Sequence, residues 1–277
     1  MKNRIFYTLI LTFSLTYALF AQNNKQQLAN QYFNAGEYEK AAILYKELWN
    51  QFPSAETFYD KYLESLLESL QYDEAQRSID QRIKKSPDDP TLLIKKAKLL
   101  SLQGDEDSPD KLYREAIGHL RADRNEIGRL GYAFQSEGKY DLAMEVYERG
   151  ATLMKDTLQF VNQLRTMAQY VQDNERFIRY GLLSIAANTS NFQTMKMQFQ
   201  RSLVFDDQPD FQSMLYEYIQ RYPDRIEFAE LLQWSFIQQD NYQAALRQAR
   251  ALDRRLEENG HRVFELGKMA INNGAYE

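Results

Sequence analysis

The stretch that decides the fold is FNAGEYEKAA at residues 33–42. Amphipathic sequence lies on both sides of its glycine, which predicts two helices joined by a short turn. Gly36 supplies the left-handed residue that commonly ends a helix. Ala41 lies where the second helix meets the first, and a larger residue there would overpack the contact by about 1–3 kcal/mol. The stretch therefore predicts an antiparallel helix pair.

The same pattern returns along the chain at 34 residues or multiples of 34. Tyrosines follow the turns at Tyr38, Tyr72, Tyr140, Tyr242 and Tyr276. Small residues come three places later, at Ala41, Ala75, Ala143 and Ala245. Prolines close the second helices at Pro53, Pro87 and Pro223. We therefore expect one frame without insertion, with repeats one to eight beginning at Gln22, Glu56, Pro90, Arg124, Leu158, Phe192, Ile226 and Gly260.

This pattern resembles the tetratricopeptide repeat family over nearly the whole chain. In that family an apolar residue and a small residue adjoin in the first helix, as in Leu28-Ala29 and Leu130-Gly131. The resemblance implies an all-α fold, a right-handed superhelical solenoid of antiparallel helix pairs with a 34-residue period. Because one pair cannot bury its apolar face alone, neighbouring pairs stack into a continuous core. We expect residues 22–277 to form about seven and a half repeats, without strands.

Repeats five and six keep the spacing but lose the residue types. Asn174 and Gln208 replace the tyrosine, and Phe177 and Phe211 replace the alanine. We expect the two phenylalanines to splay the helices of their pairs and to change the curvature of the superhelix near residues 170–215. The alternative is a divergent helix pair with a repacked core and no special role.

The N-terminus has the pattern of a secretory signal peptide. Lys2 and Arg4 precede the apolar run 5–20, and Ala21-Gln22 fits a cleavage point. We expect residues 1–21 to be removed and the protein to be an exported bacterial one, periplasmic or outer-membrane-associated. The alternative is an uncleaved anchor, since the apolar run is nearly long enough to span a bilayer. Only in that case would the chain contact a membrane, through this segment.

The last repeat begins a first helix that has no second helix to cover it. Its apolar residues Phe264, Leu266, Met269 and Ile271 are expected to be partly uncovered. Solenoid ends normally carry a polar capping element. We therefore expect the chain to be truncated at its C-terminus, with more sequence beyond residue 277.

The composition argues against most site chemistry. The chain has no cysteine and only two histidines, His119 and His261, which are far apart in sequence. No glycine-rich phosphate loop is present. The acidic run 105–110 lacks the glycine and the bidentate glutamate of a calcium loop. A net charge of −5 without a basic stripe disfavours nucleic acid. We expect no cofactor, no metal and no catalysis in this segment.

The family resemblance implies that protein or peptide partners lie along a concave wall of first helices. The fifth, ninth and twelfth residues of each repeat share one helix face. From this wall the candidate partner-binding residues are Asn30, Phe33, Glu64, Tyr132, Gln135, Asn162, Gln169 and Trp234. Some family members clamp a C-terminal carboxylate, but Gln26 stands where their lysine is expected, so no such clamp is predicted. The oligomeric state stays open.

The leading functional hypothesis is a noncatalytic protein–protein interaction scaffold of the cell envelope. It combines the signal peptide with the repeat. The alternative is an extracytoplasmic sensor or recruitment region of a longer signalling protein or enzyme, whose C-terminal domain would lie beyond Glu277.

Overall fold

A computed structural model describes residues 24–202 and 210–274, and these residues form helices joined by short connections. The first helices of the repeats are α1 (24–34), α3 (Glu56–Glu68), α5 (Thr91–Leu102), α7 (Arg124–Ser136), α9 (Val161–Tyr170), α11 (Phe192–Ser202), α13 (Ile226–Gln238) and α15 (His261–Asn272). The second helices are α2 (Tyr38–Gln51), α4 (Tyr72–Lys85), α6 (Ser108–Gly118), α8 (Tyr140–Leu153), α10 (Asn174–Ala187), α12 (Asp210–Arg221) and α14 (Tyr242–Leu256). The described residues contain no strand, as the repeat pattern predicts. The predicted signal peptide lies outside them.

The backbone repeats the 34-residue frame at the turn inside each helix pair. One residue there has a left-handed backbone, with φ between 53° and 87°, at Gly36, Leu70, Gly104, Gly138, Gln172, Asp240 and Gly274. The next residue's N–H donates back to a carbonyl five residues earlier, as from Glu37 to Tyr32 (2.9 Å) and from Lys139 to Phe134 (2.9 Å). This bond satisfies a carbonyl that the helix end would leave unpaired. The predicted period is therefore confirmed across the described turns.

Three of these left-handed positions are not glycine. Leu70, Gln172 and Asp240 adopt φ values of 59°, 58° and 53°. A side chain in this region costs about 1–2 kcal/mol, because its Cβ crowds the following carbonyl. The same turn forms at these places because the packed helices on both sides fix the chain path. Glycine in the sequence therefore marks only some of these turns, whereas the left-handed residue recurs at every described turn inside a helix pair.

Small residues lie where the two helices of a pair approach. The alanines predicted for this contact are fully buried: Ala29, Ala41, Ala75, Ala143 and Ala245. Ala97, which was not predicted, is also fully buried. In repeat four the approach is closer still. A Cβ built on Gly131 of α7 would lie 2.3 Å from the ring of Tyr147 on α8. A glycine on one helix therefore makes room for an aromatic ring on the other.

The chain forms two compact units, one ending at His119 and one beginning at Leu120. The core of the N-terminal unit is rich in aromatic residues. Trp49 packs on Tyr59 with ring centroids 4.9 Å apart, and the guanidinium of Arg82 lies 4.6 Å from the Tyr59 ring centroid. Burial raises the pKa of the Tyr59 hydroxyl to about 12. This core joins second helices α2 and α4 to first helix α3.

In the C-terminal unit, repeats five and six pack through phenylalanine rings. Phe177 of α10 meets Phe199 of α11 with centroids 5.7 Å apart, and Phe199 meets Phe211 of α12 at 5.2 Å. The prediction that Phe177 splays its pair is wrong, because α9 and α10 pack as closely as α7 and α8. The ring of Phe177 lies against α11, so it does not force α9 away. The change of curvature stays a prediction, and residues 203–209 of that region lie outside the described chain.

The acidic run before α6 acts as a helix cap. Asp105 Oδ1 accepts the backbone N–H groups of Asp107 (3.1 Å) and Ser108 (3.0 Å) at the start of the helix. Bonds from Ser108 hold the pKa of the Asp105 carboxyl below its usual range. A carboxylate is favoured at this end, where unpaired N–H groups carry partial positive charge. The acidic run 105–110 therefore has a structural explanation, because its first residue caps the start of α6.

The last helix, α15, is covered on one side. Leu266 is buried against Ala245 and Ala249 of α14, so the expectation that it would be partly uncovered is wrong. Phe264 and Ile271 are 63% and 59% exposed, as expected. Within the described residues, none of the helices combines the length and the apolar character that crossing a bilayer requires.

Candidate functional site: the first-helix wall

First helices of the N-terminal unit lie side by side and contact each other through polar side chains. Lys61 Nζ of α3 lies 4.2 Å from the ring centroid of Phe33 on α1. Lys95 of α5 forms an ion pair with Asp60 of α3. The outward faces of α1, α3 and α5 therefore form a continuous surface within this unit.

The first helices of the C-terminal unit are joined in the same way. Arg165 of α9 donates a hydrogen bond from its guanidinium to Gln198 Oε1 of α11. Lys196 Nζ of α11 lies 5.6 Å from the ring centroid of Trp234 on α13. Further along, an ion pair of 3.0 Å joins α13 to α15. We call the outward faces of the first helices, taken within each unit, the first-helix wall.

In the N-terminal unit the predicted partner-binding residues are engaged within the chain. Asn30 is exposed, but its Oδ1 accepts a hydrogen bond of 2.6 Å from the hydroxyl of Tyr45. Phe33 is half-buried and packs edge-on against Tyr38, with centroids 5.3 Å apart. Glu64 forms an ion pair with Lys61 at 2.8 Å. A partner at this part of the wall would compete with existing contacts.

The C-terminal unit presents more of its predicted residues to solvent. Tyr132 of α7 is 67% exposed, and Gln135 on the same helix is half-buried. Asn162 and Gln169 of α9 are both exposed. An exposed tyrosine offers a rigid apolar ring with a polar tip, which suits a protein interface. These four residues lie on two first helices of one unit, joined in sequence by α8.

Trp234 departs from the prediction. Its side chain is buried, with 8% of its surface exposed, and Lys196 covers the face of its ring. A buried indole contributes to packing between α11 and α13 and is not available as an exposed contact. The sequence placed it at the ninth position of its repeat but gave no sign that a lysine from the preceding first helix would cover it.

Two cations of the wall, Arg165 and Lys196, lack a carboxylate partner among the described residues. The sequence analysis named neither of them as a candidate site residue. Within residues 24–202 and 210–274, neither Arg165 nor Lys196 forms an ion pair. Burial lowers the pKa of both groups. Arg165 Nε is buried and has no hydrogen-bond partner. The sequence does show that Arg165 is unusual, because it occupies the position where repeat four has Gly131.

Clusters suited to metal binding are not found in the described part of the chain, where no three His, Asp or Glu side chains converge as ligands would. Most carboxylates of the wall are instead bound to lysine or arginine. Glu230, for example, accepts a hydrogen bond of 3.0 Å from Arg262. The wall thus offers exposed aromatic, amide and cationic groups, which are suited to binding.

The helix pairs, their 34-residue period and the small residues between paired helices define an all-α helical repeat protein, and its repeat is similar to that of tetratricopeptide proteins. The handedness of the superhelix stays a prediction. No protein-family model matches the chain, and no curated protein matches it.

Solved structures similar to this chain include several tetratricopeptide repeat proteins. A repeat protein of Cytophaga hutchinsonii is 15% identical over 82% of this chain and 93% of its own, with a TM-score of 0.35. A repeat protein from Parabacteroides merdae is 10% identical over 83% of this chain and 91% of its own, with a TM-score of 0.31. The TPR2AB domain of yeast Sti1, in complex with an HSP90 peptide, is 11% identical over 89% and 96%, with a TM-score of 0.31. The description of this chain as a helical repeat rests on the helix bounds and packing given above.

Proposed function

We propose that this chain is a noncatalytic scaffold that binds peptide or protein partners on the first-helix wall of its C-terminal unit. The observation that carries the proposal is the exposure of Tyr132 on α7 together with that of Asn162 and Gln169 on α9. Tyrosine rings dominate the binding energy of many interfaces, and amide side chains donate and accept hydrogen bonds to a peptide backbone.

The wall of the N-terminal unit is the weaker candidate. Its lysines and carboxylates are already joined in pairs, such as Lys61–Glu64 and Lys95–Asp60. A partner that binds these charged groups would have to replace the existing ion pairs, so it would gain little from them. The proposal therefore assigns the main contacts to α7 and α9.

The test is capture of partners by the full chain, followed by affinity measurement with each captured protein. Tyr132→Ala should lower the affinity by about tenfold or more, as expected for an interface tyrosine. The matched control is Tyr216→Ala, because Tyr216 is also an exposed tyrosine, at 45%, but lies on second helix α12. Far-UV circular dichroism should show equal helicity in both variants. Equal affinity of the two variants would place the contact surface elsewhere.

We further propose that the scaffold acts in the bacterial cell envelope. The support is the leader pattern of residues 1–21, with its basic start and apolar run. Cell fractionation and N-terminal sequencing of the protein from its native source test this. A chain that starts at Gln22 in the envelope fraction supports export with cleavage. A chain that starts at Met1 in the cytosol would contradict it.

A further inference from the structure

We infer that the outward face of α14 binds anionic phospholipid headgroups at a membrane surface, with Arg247, Arg250 and Arg254 as its main contacts. α14 is a second helix, so these residues are not part of the first-helix wall. The choice of a membrane as the partner rests on the envelope location proposed above. The sequence predicted membrane contact only through residues 1–21, and the arginines of α14 add a second place for it.

The three arginines form a line along one face of the helix. Their spacing of three and four residues places them on the same side, and all three are exposed. The opposite side of α14 is buried in the core, at Ala245 and Ala249. Seven residues of helix rise about 10 Å. The outward face therefore presents three guanidinium groups over about that length.

No carboxylate of the described residues neutralises these charges. Within residues 24–202 and 210–274, Arg247 and Arg250 form neither an ion pair nor a side-chain hydrogen bond. Arg254 Nε donates only to the backbone carbonyl of Arg250, at 3.3 Å. In contrast, Arg262 on the following helix lies 2.8 Å from a carboxylate oxygen of Glu258. The charges of α14 thus stay available to an external anion.

The carboxylate of α14 itself is engaged elsewhere. Both oxygens of Asp253 accept the backbone N–H of Gly260, at 3.0 Å and 2.9 Å. A cation in the last turn of a helix is favoured by the partial negative charge of that end. This effect accounts for Arg254, but Arg247 and Arg250 lie in the middle of the helix. Their presence there has no equivalent structural explanation.

The positive surface continues from α14 to the connection between α12 and α13. Arg255 Nη2 donates a hydrogen bond of 2.6 Å to the carbonyl of Pro223 in that connection. Arg221 and Arg225 flank it, and both are exposed. Asp224 is exposed at the same place and reduces the charge there. The positive charge is therefore concentrated on α14 and extends towards this connection.

The composition of this surface favours phosphate groups. Between Lys196 and Lys268 the chain has eight arginines and no lysine, and the planar guanidinium can donate two parallel hydrogen bonds to one phosphate. None of the large apolar side chains of α14 is exposed. The centre of a protein interface is usually aromatic or apolar, so a folded protein fits this face poorly. Lipid headgroups are attracted by charge alone.

Nucleic acid offers the same phosphate chemistry as a membrane. The net charge of −5 disfavours it, and a chain in the cell envelope meets lipid headgroups. Nucleic acid is therefore the alternative that the experiment must separate from the membrane.

The test measures binding of the full chain to vesicles by cosedimentation at low ionic strength, which leaves charge contacts unscreened. Anionic vesicles contain phosphatidylcholine and phosphatidylglycerol in equal parts, and neutral vesicles contain phosphatidylcholine alone. The double variant Arg247→Gln with Arg250→Gln should bind the anionic vesicles about 25-fold more weakly, since each arginine near such a surface contributes about fivefold. Its binding to the neutral vesicles should not change.

The matched control is the double variant Arg124→Gln with Arg129→Gln. It removes the same charge from two exposed arginines of first helix α7, and it should bind the anionic vesicles as the unchanged chain does. Residues 1–21 are common to all variants, so their own attraction to lipid cancels in the comparison. Far-UV circular dichroism should show equal helicity in both double variants.

Equal binding of the two double variants to anionic vesicles would overturn the inference. A fluorescein-labelled single-stranded DNA is the second probe. If its affinity fell in the α14 variant while vesicle binding did not, the face would bind nucleic acid and the membrane inference would be wrong. The scaffold proposal fails separately, because Tyr132→Ala should leave vesicle binding unchanged. Vesicle binding that depends on α14, without any partner that depends on Tyr132, would remove the scaffold proposal alone.

Discussion

In the α7–α8 pair and in the α9–α12 region, a glycine on one helix makes room for an aromatic ring on another. The glycine lies on a first helix in the α7–α8 pair and on a second helix in the α9–α12 region. In α7–α8, Gly131 of the first helix makes room for the ring of Tyr147 on the second. In α9–α12 the glycine lies on the second helix instead. A Cβ built on Gly181 of α10 would lie 2.5 Å from the ring of Phe199, which belongs to the following first helix. In both places one glycine makes room for one aromatic ring, and either helix of a pair can supply the glycine.

This exchange explains how repeat five keeps its fold. Phe199 occupies the place of Gly131 in its repeat, and Gly181 occupies the place of Tyr147. Gly181 lacks the aromatic ring that Tyr147 has at this position. The ring of Phe199, from the next repeat, fills the space instead. Cores tolerate such changes when the total volume and the apolar pattern are kept. The comparison leads to three predictions, in order of decreasing effect.

The largest effect is expected for Phe199→Ala. Phe199 is fully buried between Phe177 and Phe211, so its removal leaves a cavity at the centre of the α9–α12 region. The expected loss is about 3–5 kcal/mol in the free energy of unfolding, measured by urea titration. Phe264→Ala is the control, because Phe264 is exposed and its removal should change stability by less than about 0.5 kcal/mol. Similar losses in both variants would refute the described packing.

A smaller effect is expected for Ala143→Phe, which places in repeat four the residue that repeat five has at Phe177. Ala143 is fully buried in α8, and Gly131 already holds the ring of Tyr147 nearby. Overpacking should lower stability by about 1–3 kcal/mol in the same titration. Ala251→Phe, at an exposed position of α14, is the control. An unchanged midpoint for Ala143→Phe would show that repeat four can repack as repeat five does.

The smallest effect is expected for a reciprocal exchange at the turns. Gly138 and Gln172 both have a left-handed backbone, with φ of 68° and 58°. Gln172→Gly should stabilise the protein by about 1 kcal/mol, and Gly138→Gln should destabilise it by a similar amount. No heavy atom lies within 4 Å of a Cβ built on Gly138, so backbone strain alone sets its effect. Shifts of the same sign would contradict the shared turn geometry. Thermal melts of both variants measure the difference.

The sequence predicted most of the fold because its signals are local. Gly36 and Ala41 report a turn and a helix contact that lie within one helix pair, and the spacing of such residues gives the period. The sequence could not predict how Phe177 is accommodated. Its ring packs on Phe199, 22 residues later, and that contact depends on where α11 lies. The expected splay of α9 and α10 was wrong for this reason.

The candidate site was predicted less well than the fold. Tyr132, Asn162 and Gln169 were placed on the first-helix wall from their positions in the frame, and they are exposed there. Trp234 had an equivalent position but is buried under Lys196. Exposure of a side chain depends on the neighbouring repeat as well as on its own helix face.

By itself, the sequence determined the helix pairs, their turns and the 34-residue period, because each is specified by residue types within one repeat. The tertiary structure decided which wall residues face solvent and which cations lack a carboxylate. It also decided the left-handed turns at Leu70, Gln172 and Asp240, where no glycine marks them. The physical reason is that burial, charge pairing and backbone strain are set by contacts between repeats, and residues from different helices make those contacts.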